Sequence, residues 1–199
     1  MILLNEIDMS KNYLSEQISC IENIQKNHLD TIEKILHLLE DARENKNTIF
    51  VMGNGGSAST ASHFTSDLLK TSILKNKTRV KAISLSDNIP VMLAWSNDSS
   101  YDNIFVGQLE NFLQKNDIVI GISGSGNSQN VINAIDFAKK NGAKTISLTG
   151  KGGGNLTKIS EISFVVPSDD MLTIETMHLL ITHLLITMIR KNGEPLFSY

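Results

Sequence analysis

The chain has a single cysteine, Cys20, so no disulfide can form within it, which fits a reducing, cytoplasmic setting. Cys20 lies in a helical pattern and reads as a packing residue. There is no Lys/Arg-dense stretch, no basic helix and no helix-turn-helix segment, and the formal charge is only −3. Nothing in that balance recruits nucleic acid. No Gly-Lys-Ser/Thr follows any glycine loop, which excludes a P-loop. No linker or low-complexity segment interrupts the 199 residues, a length that suits one large domain with a well-buried core. The opening Met1-Ile2-Leu3-Leu4 is broken at once by Asn5, Glu6 and Asp8 and does not read as a signal peptide.

Long apolar runs are equally scarce. The longest, Met171 to Ile189, has the length of a membrane span. It carries Glu175, His178, His183 and four threonines, all unfavourable in lipid. The expectation is therefore a helix buried in a soluble protein, with no membrane partner.

What the chain does have is a repeated pattern. Three times a β-branched run ends in a small-residue loop and leads into a helical segment. The runs are Thr48–Met52 into Gly53-Asn54-Gly55-Gly56-Ser57, Ile118–Ile120 into the loop through Ser123, Gly124, Ser125 and Ser128, and Lys144–Leu148 into Thr149–Gly154. Parallel strands gather such loops at their carboxyl edge, where helix N-termini, bare amides and hydroxyls suit a phosphate. The strands expected are Thr48–Met52, Arg79–Leu85, Asp117–Ile122, Lys144–Leu148 and Ile162–Val166. Helices are expected at Ser57–Leu74, Asn88–Trp95, Ile104–Gln114, Gln129–Asn141 and Asp170–Lys191, with a short turn near Asn155–Ser160. Alternating β and α with near-continuous Val/Ile strands predicts an α/β fold with a doubly wound parallel sheet covered on both faces.

Before the first strand, residues 1–46 form an N-terminal helical arm ahead of an α/β core over 47–191. Leu14, Ile18, Ile21 and Ile24 make one stripe; Ile32, Ile35, Leu36 and Leu39 make another. Asn27-His28 is the expected break, with Asp30 as a cap for the second helix. These helices either fold across the sheet or pack against another chain.

Gly53-Asn54-Gly55-Gly56-Ser57-Ala58 is close to a dinucleotide fingerprint. That reading also wants an acidic residue ending the second strand, and here the strand ends Ile83-Ser84-Leu85-Ser86, with Asp87 beyond it. No nucleotide cofactor is expected. Glycines alone would serve tight turns, yet Ser123, Ser125 and Ser128 within six residues, at the opening of a helix, favour an anion.

Two groups of side chains suit acid–base work. His63 and Asp67, four apart, share a helix face. Glu175, His178 and His183 lie on the last helix, with His183 two turns beyond Glu175 and rotated by about 80°. Asp169-Asp170 suits the cap of that helix, Trp95 suits packing, and Asn97-Asp98 suits contact with hydroxyls.

Gly-Asn-Gly-Gly-Ser at 53–57, His63-Phe64, Asn97-Asp98, the serine loop at 123–128, Leu148-Thr149-Gly150 and the His178/His183 helix together resemble the sugar isomerase (SIS) domain family, and within it the phosphoheptose isomerases. The resemblance runs in order from about residue 30 to 190. It implies one SIS domain over 1–199, a five-stranded parallel sheet, and a homotetramer with active sites between subunits. It implies isomerisation of sedoheptulose 7-phosphate to D-glycero-D-manno-heptose 7-phosphate through an enediol, for a bacterial surface polysaccharide. Asp67 then takes the place of the general base and His183 that of the acid. Asn54, Gly55, Ser57, Asp98, Ser123, Gly124, Ser125, Ser128 and Glu175 are the implied substrate contacts. The resemblance also implies one zinc per subunit on His63, Asp67, Glu175 and His183. The chain departs from the family where Asp67 stands for Glu, Thr173 and Glu175 for Arg and Gln, and Gly124 for Thr. Non-catalytic relatives bind a phosphosugar or a replication-initiation protein, and they tend to lose the acidic residue and the last-helix histidine that this chain keeps.

Overall fold

The structure, a computed structural model, describes residues 5–198, and the opening run at 1–4 lies outside them. Two helices come first, α1 over Glu6–Asn27 and α2 over Leu29–Asn45. Five strands follow: β1 at Thr48–Gly53, β2 at Lys81–Ser84, β3 at Ile118–Ser123, β4 at Lys144–Thr149 and β5 at Ile162–Val165. All pair in parallel in the order β2-β1-β3-β4-β5. Between and after them run α3 (Gly56–Ser66), α4 (Ile89–Asp98), α5 (Val106–Phe112), α6 (Gln129–Lys140), α7 (Leu156–Ile159) and α8 (Met171–Lys191).

The period-2 alternation of β1 divides the core. Ile49 and Val51 point into a layer with α2, α3 and α8, while Phe50 and Met52 point into a layer with α5, α6 and α7. Trp95 packs on the second layer as expected, its ring lying so close over Gly107 that a Cβ there would collide with it. α8 is long and apolar enough to cross a membrane, and half of that stretch is buried inside the fold. Ile174, Met177, Ile181, Leu185, Ile186 and Ile189 are all buried against the first layer, each contributing roughly 1.5–3 kcal/mol.

The helical arm corrects one expectation and sharpens another. Asp30 does not cap α2; His28 occupies the cap position with no side-chain bond, and Asp30 lies in the first turn. The α1 stripe is split, with Ile24 buried and Leu14, Ile18 and Ile21 exposed. Gln17, Cys20 and Ile24 face inward, whereas Ile7, Leu14 and Ile18 are 66%, 59% and 57% exposed. The inward face is the smaller, more polar one, and Gln17 Nε2 donates to Thr173 Oγ1 at 2.7 Å across it. At α8 the cap is as expected, with Asp170 accepting from Thr173 N at 2.7 Å. That bond holds the Asp170 carboxyl below its ordinary pKa.

Candidate active site

β1 and β3 are neighbours in the sheet although β2 lies between them in sequence, so their connections leave in opposite directions. This is the switch point of the sheet, where a crevice opens beyond the carboxyl ends. A cavity of ≈ 300 Å³ lies there, lined by Asn54, Gly55, Gly56, Ser57, Ser123, Gly124, Ser125, Ser128 and Glu175, with Ile122 and Met171 as its apolar wall. Gly55 sits at φ +54, ψ −124, a backbone state essentially reserved for glycine, and this turn delivers β1 into α3. Neither α3 nor α6 has a side-chain cap. Two helix starts thus face one cavity with amide donors to spare, which suits an anion. Ser128, at the cap position of α6, bonds Ser123 Oγ at 2.9 Å across the loop instead.

The third loop does not reach this cavity. β4 lies one strand away from the switch point, and its loop buttresses the second: Gly150 N donates to Gly124 O and Leu156 N to Gly126 O. Asp98 lies outside this cavity in the single chain. It is exposed at the end of α4, accepting from Asn97 Nδ2. A larger cavity of ≈ 430 Å³ opens at the amino ends of β3 and β4, away from these loops and helix starts.

The acid–base residues gather where α3 and α8 run side by side. His63 Nε2 lies 2.8 Å from His183 Nε2 and 3.4 Å from Asp67 Oδ2, and His183 Nε2 lies 3.8 Å from the same oxygen. One imidazole must donate and the other accept. Both imidazoles are half exposed, while the Asp67 carboxylate is largely buried. α3 ends at Ser66, and Asp67–Thr71 widens into a single π-helical turn, a local feature often found at functional sites. Thr71 Oγ1 donates to Asp67 Oδ1 at 2.8 Å, leaving Oδ2 for the histidines. Arg190 Nη1 on α8 holds the turn by donating to Thr71 O at 2.8 Å. Thr71, Thr187 and Arg190 join the cluster in lining a third cavity of ≈ 400 Å³.

Glu175 stands apart from this cluster. Its carboxylate packs over Gly56 at the opening of α3, closely enough that a Cβ at Gly56 would collide with it. Gly56 and Glu175 meet at one end of the seam and His63 and His183 at the other, about 10 Å away along α3 and 12 Å along α8. The expected four-ligand set is therefore three: His63, Asp67 and His183 have ligand atoms all within 4.8 Å of one another, and Glu175 is not among them. Three donors with an open fourth position is the pattern of a catalytic zinc. Donors on a tetrahedral ion at about 2.0–2.1 Å stand about 3.3 Å apart, and the three separations straddle that value, so these residues fit the ion.

His178, between Glu175 and His183 on α8, takes no part. It is fully buried, with its Nε2 3.1 Å from Thr149 O. Burial pushes its pKa down to about 4, so it is neutral and pins α8 to the end of β4.

Comparison with known proteins adds an independent line. The model of the SIS domain family matches residues 12–150. A phosphoheptose isomerase of Helicobacter pylori (strain P12) is 41% identical over 171 residues, covering 84% of this chain and 88% of the relative. Two solved structures superpose closely, each covering 94% of this chain and 100% of the other. The phosphoheptose isomerase from Francisella tularensis has a TM-score of 0.89 at 29% identity. The phosphoheptose isomerase GmhA from Neisseria gonorrhoeae has a TM-score of 0.87 at 26% identity.

Proposed function

The chain belongs to the SIS domain family and, within it, to the phosphoheptose isomerases, and from that premise we propose how its residues divide the work. The enzyme is an aldose–ketose isomerase that interconverts sedoheptulose 7-phosphate and D-glycero-D-manno-heptose 7-phosphate. The loops after β1 and β3, through Asn54, Gly55, Ser57, Ser123, Gly124, Ser125 and Ser128, hold the phosphate. Asp67 takes a proton from C1 of the ketose and returns it to C2, while His183 hands a proton to and from the sugar oxygens. His63, hydrogen-bonded to His183, fixes its imidazole and relays its proton.

The observation that carries this reading is the spacing along the α3–α8 seam. Gly56 to His63 spans about 10 Å of helix. An extended seven-carbon chain built of bonds of about 1.5 Å, with a terminal phosphate, has the same length. A phosphate seated at the serine loops therefore brings C1 and C2 to Asp67 and His183. Retention of both residues favours the enzyme over a non-catalytic phosphosugar or replication-protein binder.

The same Nε2 and Oδ2 atoms of His63, Asp67 and His183 would hold a zinc ion, one per subunit, and an ion there would replace the His63–His183 proton relay rather than act beside it. Such an ion supplies Lewis-acid polarisation of the C1 and C2 oxygens. Metal content measured on the purified protein, with His63→Ala as the comparison, reads this site without reference to activity: wild type retains zinc and the variant loses it.

The exposed α1 stripe of Ile7, Leu14 and Ile18 lies beside the start of α8, where Tyr13 and Gln17 meet Thr176 and Thr173. We assign it to subunit packing in a cytoplasmic homotetramer, one SIS domain per chain. Introducing Ile18→Glu should break the tetramer into smaller species by analytical ultracentrifugation.

Proton exchange tests the central claim. Incubation with sedoheptulose 7-phosphate in D2O should place deuterium at C1, and Asp67→Asn should slow that exchange about 10³-fold while phosphosugar binding persists. Unchanged exchange in Asp67→Asn would mean that another group is the base.

A further inference from the structure

Asn130, in the first turn of α6, is 1% exposed and carried no signal in the sequence pattern. Its amide closes a pair with that of Asn54. Asn54 Nδ2 donates to Asn130 Oδ1 and Asn130 Nδ2 donates to Asn54 Oδ1, both at 2.9 Å. A fixed donor sets the direction of this pair. The backbone N–H of Val131 donates to Asn130 Oδ1 at 2.9 Å and cannot be exchanged for an acceptor, so the oxygen of Asn130 must lie on that side. Asn130 then orients Asn54. Tyr101 Oη, in the turn after α4, donates to Asn54 Oδ1 at 2.8 Å.

The donor and acceptor count has a consequence for the cavity that Asn54 lines. Both lone pairs of Asn54 Oδ1 are used, by Asn130 and Tyr101. One of its two Nδ2 protons is used as well, leaving a single N–H. Asn54 therefore meets a ligand as a donor only. An unconstrained asparagine would offer its oxygen or its N–H with equal ease, and its oxygen would repel a dianion.

We propose that Asn130 is a positioning residue for the phosphosugar: it locks Asn54 with an N–H turned to the ligand, and Tyr101 completes the lock. The pair also ties the loop after β1 to the start of α6, holding the two anion-binding loops at one separation. This rests on the phosphosugar reading of the cavity. It adds to that reading a residue that touches no substrate but sets how tightly the substrate is held.

Asn130→Asp keeps the size of the side chain and replaces its donor with an acceptor. Asn54 can then no longer keep its oxygen against position 130, and its N–H is drawn away from the ligand. Steady-state kinetics on sedoheptulose 7-phosphate should show KM raised tenfold or more with kcat within about threefold. Tyr101→Phe, at a half-exposed position, should raise KM two- to fivefold with an unchanged melting temperature. An unchanged KM in Asn130→Asp overturns the proposal. So does a fall in kcat that tracks a lowered melting temperature with KM unmoved, which is what a purely structural asparagine would give. Should Asn130→Asp fail to fold, Tyr101→Phe decides alone, and an unmoved KM there overturns it. If the wild type turns over no sugar, it is the isomerase reading that falls. Calorimetric affinity for the same phosphosugar across the variants then judges Asn130, equal affinities overturning its role.

Discussion

At the Gly56–Glu175 end of the α3–α8 seam, binding groups come from backbone amides and small hydroxyls on two loops of adjacent strands; at the His63–His183 end, three side chains from two helices meet half in solvent. The first end is pre-organised by the sheet, since strand pairing brings its two loops together and the Asn54–Asn130 pair ties them. The second depends on how two helices lie against each other, on a widened π turn, and on whatever covers the imidazoles. On the proposed division of work, anion binding rests on the fold, whereas acid–base chemistry rests on the packing.

His178 supplies the largest way to break that contrast, because it pins the helix both ends share. Its pKa in the folded chain is about 4, against an ordinary value near 6.5. The unfolded chain therefore takes up a proton first as pH falls. Stability from the neutral imidazole is complete above about pH 6.5 and is lost progressively down to pH 4. The loss amounts to about 3 kcal/mol. Thermal melts between pH 7 and pH 4.5 should show this slope in the wild type and a flatter one in His178→Gln, which keeps a donor for Thr149 O.

The next effect concerns the phosphate end alone. Ser57, buried in the first turn of α3, offers a hydroxyl to a charged group, a bond of about 1.5–3 kcal/mol. Ser57→Ala should raise KM roughly 10- to 100-fold and leave kcat within a few-fold. A matching fall in kcat would mean that the two ends are not separable. The smallest effect belongs to the other end. Thr71→Val removes the donor that holds Asp67 Oδ1 and should lower kcat roughly fivefold, with KM unchanged. A rise in KM instead would place Thr71 in binding.

Much of this architecture is legible from periodicity. All five strands and the helices between them lie within a few residues of their expected positions, because Val/Ile runs bounded by glycine are local signals. The loops at 53–57 and 123–128 are legible for the same reason. The π turn at Asp67–Thr71 is not, since the pattern there continues as an ordinary helix and the contact that meets the turn, Arg190 on Thr71 O, comes from 119 residues away. Asn130 is invisible in sequence because an asparagine in a first helical turn is commonplace. Only its burial and its partner 76 residues away distinguish it.

Composition and spacing by themselves determined the class of fold and the edge of the sheet where the glycine-serine loops gather, and they offered His63, Asp67, Glu175, His178 and His183 for proton or metal work. Each follows from one short stretch of chain and its intrinsic geometry. Tertiary structure alone decided which loops share a cavity, sending the third to a buttressing role because β4 is displaced from the switch point. It also separated Glu175 from the histidines, since eight residues of helix carry it two turns away and against Gly56. Those outcomes depend on the order of strands and the register of two helices, which no local run of residues encodes.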